Sequence, residues 1–340
     1  MQDTDLDPRA AMQVAEYMSG AWKSRAIHAA ASLGVADALE GGPLALAELA
    51  AQIGCHPPSL YRLLRALSTI GIFEERSPGE FATTALGRCL GSRAMRDSCL
   101  MLNADWHEAA WRQLVHSVRT GSPGFERAHG EPLFSWLDRH PDASDLFNRA
   151  MAAGRSYRDA GIADAYDFST ASVLVDVGGG HGTLLLSILR QQPRLRGVIA
   201  DLPSVVAAAQ TAIDVAGVRE RCSVAGIDFF AAVPAGGDVY LLAHVIHDWD
   251  DAAARRILEN CAAAMRPGGR VLLVENVLPA DAAPSRTHWL DLEMLVLTSG
   301  GRERTEAEFR ALVESAGLEL VGVTPTAGSR ALIETRKARP

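Results

Sequence analysis

The chain has 340 residues, 48% of them hydrophobic and 22% charged, with a formal net charge of −8. That length holds two domains or one large one, and the composition is that of a packed soluble protein. The acidic balance argues against a phosphate-backbone binder, which needs clustered Lys and Arg, and no apolar run reaches the roughly 18 residues of a membrane span.

The acidic start Met1-Gln2-Asp3-Thr4-Asp5 lacks the basic and apolar segments of a signal peptide and reads as a short disordered lead. Cys55, Cys89, Cys99, Cys222 and Cys261 are scattered, with no Cys-x-x-Cys pair. Free thiols in a reducing cytoplasm are expected, rather than disulfides or a zinc site.

An Ala-rich helix is predicted from Ala21 to near Leu39-Glu40, broken by Gly41-Gly42-Pro43. A short helix, Leu46 to Ile53, stops at Gly54, and Pro57-Pro58 suits the first turn of the next. That next helix places Leu60, Leu63, Leu64, Leu67 and Ile70 on one face. Ile72–Glu75 and Glu80–Thr83 flank Ser77-Pro78-Gly79 as a hairpin. The outline is a winged helix. Its second helix offers Arg62 and Arg65 with an acidic strand just beyond, so packing or dimerisation is favoured over DNA binding. Residues 101–168 read as several helices carrying Trp106, Trp111, Phe125, Phe134, Trp136, Phe147 and Met151, most of them for the core.

From residue 171 strands and helices alternate. Val173–Val177 is a strand buried on both faces, followed by a glycine loop and a helix from Thr183 to Arg190. Strands follow at Gly197–Asp201, near Ser223–Ala225, at Asp238–Leu242 and at Arg270–Glu275, with helices Val205–Ala212 and Ala252–Met265 between them. This predicts a mostly parallel sheet with helices on both sides. Glu319–Val323 and Arg330–Thr335 have no helix between them and read as an antiparallel pair at one edge.

Asp176-Val177-Gly178-Gly179-Gly180-His181-Gly182 links the first strand to its helix. Glycines let backbone approach a ligand, and the helix N-terminus offers free N–H groups. The dinucleotide fingerprint G-x-G-x-x-G fails in both registers, because its third glycine falls on Thr183 or Leu185. With Asp176 just before the glycines, the pattern suits S-adenosylmethionine, whose ammonium and carboxylate can meet backbone groups at the loop, with Asp176, Gly178 and Gly180 as contacts. Asp201 ends the next strand, where it can accept ribose hydroxyls; Leu202 follows it. A dehydrogenase would use such an acid likewise. Asp228 and Phe229 close the third strand, where adenine is expected.

The fourth strand runs into Ala243-His244-Val245-Ile246-His247-Asp248-Trp249-Asp250-Asp251. Ligands bind at the carboxyl ends of parallel strands, and imidazole is the natural base near neutral pH. His247 is the candidate base. His244 is a weaker one, expected to face the sheet and counted with the cofactor contacts. Asp250 or Asp251 caps the following helix. A carboxylate at the second ring nitrogen would fix the tautomer, and Glu275 or Glu303 qualifies. Alternatively, Glu303 pairs with Arg302 or Arg304 at the surface.

Taken in order, these segments, with Phe147–Met151, Asp201-Leu202-Pro203, Pro267-Gly268-Gly269 and Gly300–Thr305, resemble the caffeate-type (plant-type) small-molecule O-methyltransferases and their bacterial antibiotic-biosynthesis relatives. The resemblance implies a Rossmann-like methyltransferase sheet, mostly parallel with an antiparallel edge strand, and an N-terminal, mainly helical winged-helix dimerisation domain. It implies domains 1–100 and 101–340, the latter with a helical lid or linker (101–170) before the cofactor-binding core (171–340). It implies a cytoplasmic homodimer, a metal-free reaction, His247 as general base beside Glu275 and Glu303, and substrate contacts from Phe147, Met151, Asp291 and Met294. Two positions depart from the family pattern: Ile227 replaces a glycine, and Ala243 stands where Lys, Arg or Ser is common. Trp22–Arg25 and Gly121–Glu126 are similar to phenazine methyltransferases. The expected acceptor is a hydroxyl of an aromatic secondary metabolite such as a polyketide or phenazine. Alternatives are a nitrogen or N-hydroxy acceptor, or a nicotinamide oxidoreductase.

Overall fold

A computed structural model describes residues 6–159, 161–281 and 283–338; the lead Met1–Asp5 lies outside them. The chain forms two compact units. One comprises residues up to Glu108 together with Pro141–Gly154, and the other comprises Ala109–His140 together with everything from Arg155 onward.

In the first unit, α1 (Pro8–Met18) and α2 (Gly20–Ser32) precede a short α3 (Val35–Ala38). The single Ala-rich helix expected to Leu39-Glu40 is thus interrupted, because Gly34 takes a left-handed φ of 68° that ends one helix and starts the next. β1 (Leu44–Ala45), α4 (Leu46–Gln52), α5 (Pro57–Ser68), β2 (Phe73–Ser77) and β3 (Glu80–Thr83) follow, then α6 (Ala85–Gly91) and α7 (Arg93–Leu102). The three strands pair in the order β1-β3-β2. Leu60, Leu64 and Leu67 recur at helical spacing along α5 and bury with Leu49, Phe73 and Phe81 in one core. By contrast, no residue of α1 is buried, and Met12, Val14, Tyr17, Met18 and, on α2, Trp22 are more than half exposed.

Helices α8 (Asp105–Trp111), α9 (Leu114–Thr120), α10 (Gly124–His129), α11 (Leu133–Arg139) and α12 (Pro141–Arg158) lead to the sheet of the second unit. That sheet is built from β4 (Val173–Val177), β5 (Arg196–Asp201), β6 (Cys222–Gly226), β7 (Val239–Ala243) and β8 (Arg270–Glu275), all parallel. After the two-residue β9 (Val277–Leu278) and β10 (Arg304–Thr305), β11 (Leu318–Pro325) and β12 (Ala331–Lys337) add antiparallel, giving the order β11-β12-β8-β7-β4-β5-β6. Side chains alternate between two cores, as the period of two in a strand requires. Val175, Val177, Tyr240, Leu242, Val271 and Leu273 pack on one side. They meet α15 (Asp251–Ala264) and α17 (Glu306–Ser315). Leu174, Val239, Leu241, Leu272 and Val274 pack on the other against α13 (Thr183–Gln191) and α14 (Pro203–Ala216). α16 (Thr287–Leu297) precedes β10.

The chain leaves β4 toward β5 on one side and reaches β7 on the other, so the winding reverses between β4 and β7. A crevice forms at such a switch point, outside the carboxyl ends of the strands. Among the described residues no helix is long and apolar enough to cross a membrane, and all five cysteines are free thiols.

Candidate active site

The glycine loop leaves β4 as a tight cradle. Gly178 has φ 69°, and a Cβ there would come 2.7 Å from Val245 Cγ2. Gly182 has φ 75°, and a Cβ there would overlap Ile199 Cδ1. Both positions thus need glycine for backbone conformation and for closeness to neighbouring strands. Asp176 is fully buried in β4, with its carboxylate against the loop. Asp201 shapes the loop from the neighbouring strand. Its Oδ2 accepts from Gly180 N at 2.8 Å and its Oδ1 from Leu202 N at 2.7 Å. Leu202 is half exposed at the start of α14.

Asp228 lies beyond the end of β6, not within it. The ladder runs on through Ile227, whose N donates to Asp201 O at 2.8 Å, and Asp228 Oδ1 then accepts from Phe230 N. The side chain of Ile227 packs against the core, so the departure from glycine is absorbed by packing. Phe229 stacks edge-on with Phe230 and Trp249. Ala243 is buried in the sheet core.

His244 does not face into the sheet as expected. Its left-handed φ of 61° turns it out of β7, and its Nε2 lies 2.7 Å from Asp159 Oδ1. Asp159 carried no signal in the sequence, because its partner is 85 positions away. A non-glycine residue held at positive φ stores strain that its surroundings must sustain.

Two residues beyond Val245, a single 3-10 turn carries His247 to the end of β8. Its Nδ1 lies 2.9 Å from Glu275 Oε2 and 3.8 Å from Glu303 Oε1. Its Nε2 lies 3.5 Å from Asp248 Oδ1. Glu275 is fully buried, and its Oε1 accepts from Val245 N at 3.1 Å and Ile246 N at 2.9 Å. That carboxylate thus fixes both the turn and the ring. Glu303 arrives because β9 and β10 pair in parallel, Val277 opposite Arg304, which sets the preceding residues Asn276 and Glu303 side by side. Asn276 Nδ2 donates to Glu303 Oε1 at 2.7 Å, and Glu303 N donates to Asp291 Oδ1 at 2.9 Å.

The surface pairing of Glu303 with Arg302 or Arg304 is overturned. Glu303 is 2% exposed, whereas Arg302 pairs with Glu308 and Arg304 with Asp251. Arg304 is itself buried and donates to the carbonyls of Ile246 and Trp249, holding the His247 turn from outside. Asp250 is the helix cap, accepting from Ala253 N.

The electrostatics follow from this packing. Burial alone would pull the His247 imidazolium down, but Glu275, Asp248 and Glu303 outweigh it and push the ring up to about 9. Burial opposes the Glu275 carboxylate, yet His247 beside it holds it down at about 2. Burial raises Asp248 to about 6 and raises Glu303. The three residues also offer ligand atoms within 4.8 Å of one another. Within this group, which comprises His247, Glu275 and Glu303, Glu275 Oε1 and Glu303 Oε1 are already hydrogen-bonded, and His247 Nδ1 faces Glu275 Oε2 at 2.9 Å.

Of the expected substrate residues, Asp291 has one oxygen committed to Glu303, and Met294 lies half-buried one turn further along α16. Phe147 and Met151 are half-buried on α12, one turn apart, in the first unit.

Comparison with known proteins then places the chain. Residues 111–319 match the model of the O-methyltransferase domain and residues 15–93 that of the O-methyltransferase dimerisation domain. The chain is 41% identical to the phenazine O-methyltransferase PhzM of Lysobacter antibioticus, covering 94% of each chain. It is also 41% identical to the mitomycin biosynthesis 6-O-methyltransferase of Streptomyces lavendulae, covering 96% of this chain and 94% of that protein. A methyltransferase of calicheamicin biosynthesis, solved with S-adenosylhomocysteine bound, superposes with a TM-score of 0.88 at 33% identity, over 98% of this chain and all of that one. The nicotinamide oxidoreductase alternative falls with these matches, and the chain belongs to the O-methyltransferase family, with a dimerisation domain preceding its methyltransferase domain.

Proposed function

We propose that this O-methyltransferase acts on a hydroxyl of an aromatic secondary metabolite such as a polyketide or phenazine, with His247 as general base. One observation carries the assignment: a buried imidazole whose Nδ1 is faced by Glu275 and Glu303, which leaves Nε2 to take a proton. The glycine cradle, whose Gly178 and Gly182 leave no room for a Cβ, together with Asp201 at the end of β5 and the N-terminus of α13, supports S-adenosylmethionine as the ligand of this loop. We assign its contacts to Asp176, Gly178, Gly180, Asp201, Leu202, Asp228, Phe229 and His244. When bound, the cofactor supplies a methyl group already activated on a sulfonium.

The protein then has two tasks. It must align the acceptor oxygen with that methyl, an effect that contributes roughly 7–11 kcal/mol in well-oriented reactions. It must also remove the hydroxyl proton, where a base contributes about 10²–10⁴-fold. Glu275 would keep the Nδ1 proton in place, so that Nε2 would receive the acceptor's proton while the methyl passes from sulfur to the acceptor oxygen, the carbon–sulfur bond breaks and S-adenosylhomocysteine leaves. An imidazole raised to about 9 is well matched to a phenol of pKa about 10. Phe147, Met151, Asp291 and Met294 are assigned to the acceptor.

We further propose a cytoplasmic homodimer, with residues 1–100 as the dimerisation domain and 101–340 as the transferase domain. The exposed Met12, Tyr17, Met18 and Trp22 are the kind of face a second copy would cover.

The test is methyl transfer from labelled cofactor to a panel of hydroxylated tricyclic aromatics. His247→Ala should lose about 10²-fold or more on an ordinary phenol, and little on an acidic N-hydroxy heteroaromatic. Full activity of that variant at pH 6 on an ordinary phenol refutes the base assignment. EDTA should leave the wild-type rate unchanged if the site holds a proton and no ion.

A further inference from the structure

The cluster at the end of β8 holds more negative charge than His247 alone balances. Glu275, Glu303 and Asp248 surround one imidazole, and both glutamates are buried. Three carboxylates so placed do not all remain ionised against a single cation. Two arginines approach the cluster. Arg304 is committed to Asp251 and to the carbonyls of Ile246 and Trp249. Arg330 has no such commitment. It is 8% exposed, its Nη1 lies 4.0 Å from Glu303 Oε1, and its Nε and Nη1 make no hydrogen bond among the described residues. Its backbone is fixed, however. The carbonyl accepts from Thr326 N and Oγ1, and the next residue, Ala331, pairs with Glu275 in the β12–β8 ladder. The antiparallel strand thus delivers a cation to the edge where the base sits.

We propose that Arg330 is a positioning residue of the transfer site, the second cation of the His247 cluster, holding the Glu303 carboxylate against imidazole Nδ1. This rests on the reading of His247 as the base. Arg330 touches no reacting atom. The charged groups around it are Glu303 before β10, Glu275 at the end of β8, and His247 and Asp248 after β7; His244 adds positive charge toward Glu275 and is itself paired with Asp159. Removing the guanidinium takes a cation from every carboxylate, so the cluster holds its last proton more tightly. His247 then becomes neutral only at higher pH.

Histidine labelled with carbon-13 at Cε1 reports this by NMR on the whole protein without any acceptor. The His247 signal is the one lost in His247→Ala. Arg330→Leu should raise the His247 midpoint by about one pH unit, the low end for a charge at such distance, leaving about tenfold less neutral imidazole at pH 7. Arg330→Lys should stay near wild type. In a Glu303→Gln background Arg330→Leu should move the midpoint less, because the carboxylate that Arg330 approaches at 4.0 Å is gone. An unmoved or lowered midpoint in a folded Arg330→Leu protein overturns the proposal, as does an undiminished shift in the Glu303→Gln background. If the leucine variant does not fold, Arg330→Gln must show the upward shift, and its absence is equally decisive. Failure of the base assignment would appear separately, as full phenol methylation by His247→Ala.

Discussion

Glu275→Gln is the sharpest perturbation of the site, because it is nearly isosteric and removes one charge. The carboxylate is fully buried, with one oxygen on the amides of Val245 and Ile246 and the other 2.9 Å from His247 Nδ1. Against burial, which pulls it down, Glu275 is the first of the neighbours that bring His247 from 6.5 to about 9. That difference of about 2.5, at 1.36 kcal/mol for each unit of pKa, corresponds to about 3 kcal/mol of preference for the charged ring. A glutamine oriented to keep the two amide hydrogen bonds turns its NH2 toward Nδ1. Two donors then face each other, and the ring relieves this by moving its proton to Nε2. The nitrogen assigned to receive the substrate proton is then already protonated. The loss in kcat should fall within the general-base range, about 10²–10⁴-fold, and affinity for S-adenosylhomocysteine should be unchanged. Initial rates of labelled methyl transfer to a hydroxylated tricyclic aromatic that the wild type accepts, from pH 6 to 10, with calorimetric titration of S-adenosylhomocysteine, measure both. A variant with wild-type kcat would refute the tautomer reasoning. Equal losses of kcat and cofactor affinity would instead identify Glu275 as scaffolding for the 245–246 turn.

The pH dependence of the native enzyme follows from the same groups. The kcat/KM profile, which reports the free enzyme, should rise toward a limb near 9, while the kcat limb should lie lower because a cationic cofactor opposes the imidazolium. Stability should follow its own sign. The raised His247 contributes fully below 6.5 and loses that contribution as pH climbs through about 9, while the lowered Glu275 contributes above 4.5 and is lost as pH falls through about 2. Thermal melts from pH 6.5 to 9.5 should therefore show a decline that is reduced in His247→Ala; an equal decline in both excludes His247 as its source. Gly178→Ala combines a left-handed φ, about 1–2 kcal/mol for a residue with a Cβ, with a 2.7 Å approach to Val245. It should lower Tm and weaken S-adenosylhomocysteine binding together in the same titration, and unaltered binding would show that the cradle is not where the cofactor lies.

Much of the second unit is legible in the amino-acid sequence. β4 matches its predicted bounds of Val173–Val177, and β8 its bounds of Arg270–Glu275, because a strand buried on both faces reads as an uninterrupted apolar run. The glycine loop was legible because positive φ at 178, 180 and 182 selects one residue type. The apolar pattern predicts one Ala-rich helix through Gly34, whose left-handed φ only the fold reveals.

What residue order determined by itself is therefore local: period, turn chemistry, and the three residues His247, Glu275 and Glu303 as candidates. What the tertiary structure decided is which of them touch. Glu275 meets the imidazole at 2.9 Å and Glu303 stands behind at 3.8 Å, the latter positioned by the β9–β10 pairing and by Asn276. Asp159 and Arg330 enter only there, because each lies more than 25 residues along the chain from the group it approaches. Local pattern encodes the period of a segment, whereas a charge cluster is set by which strand ends the sheet order brings together.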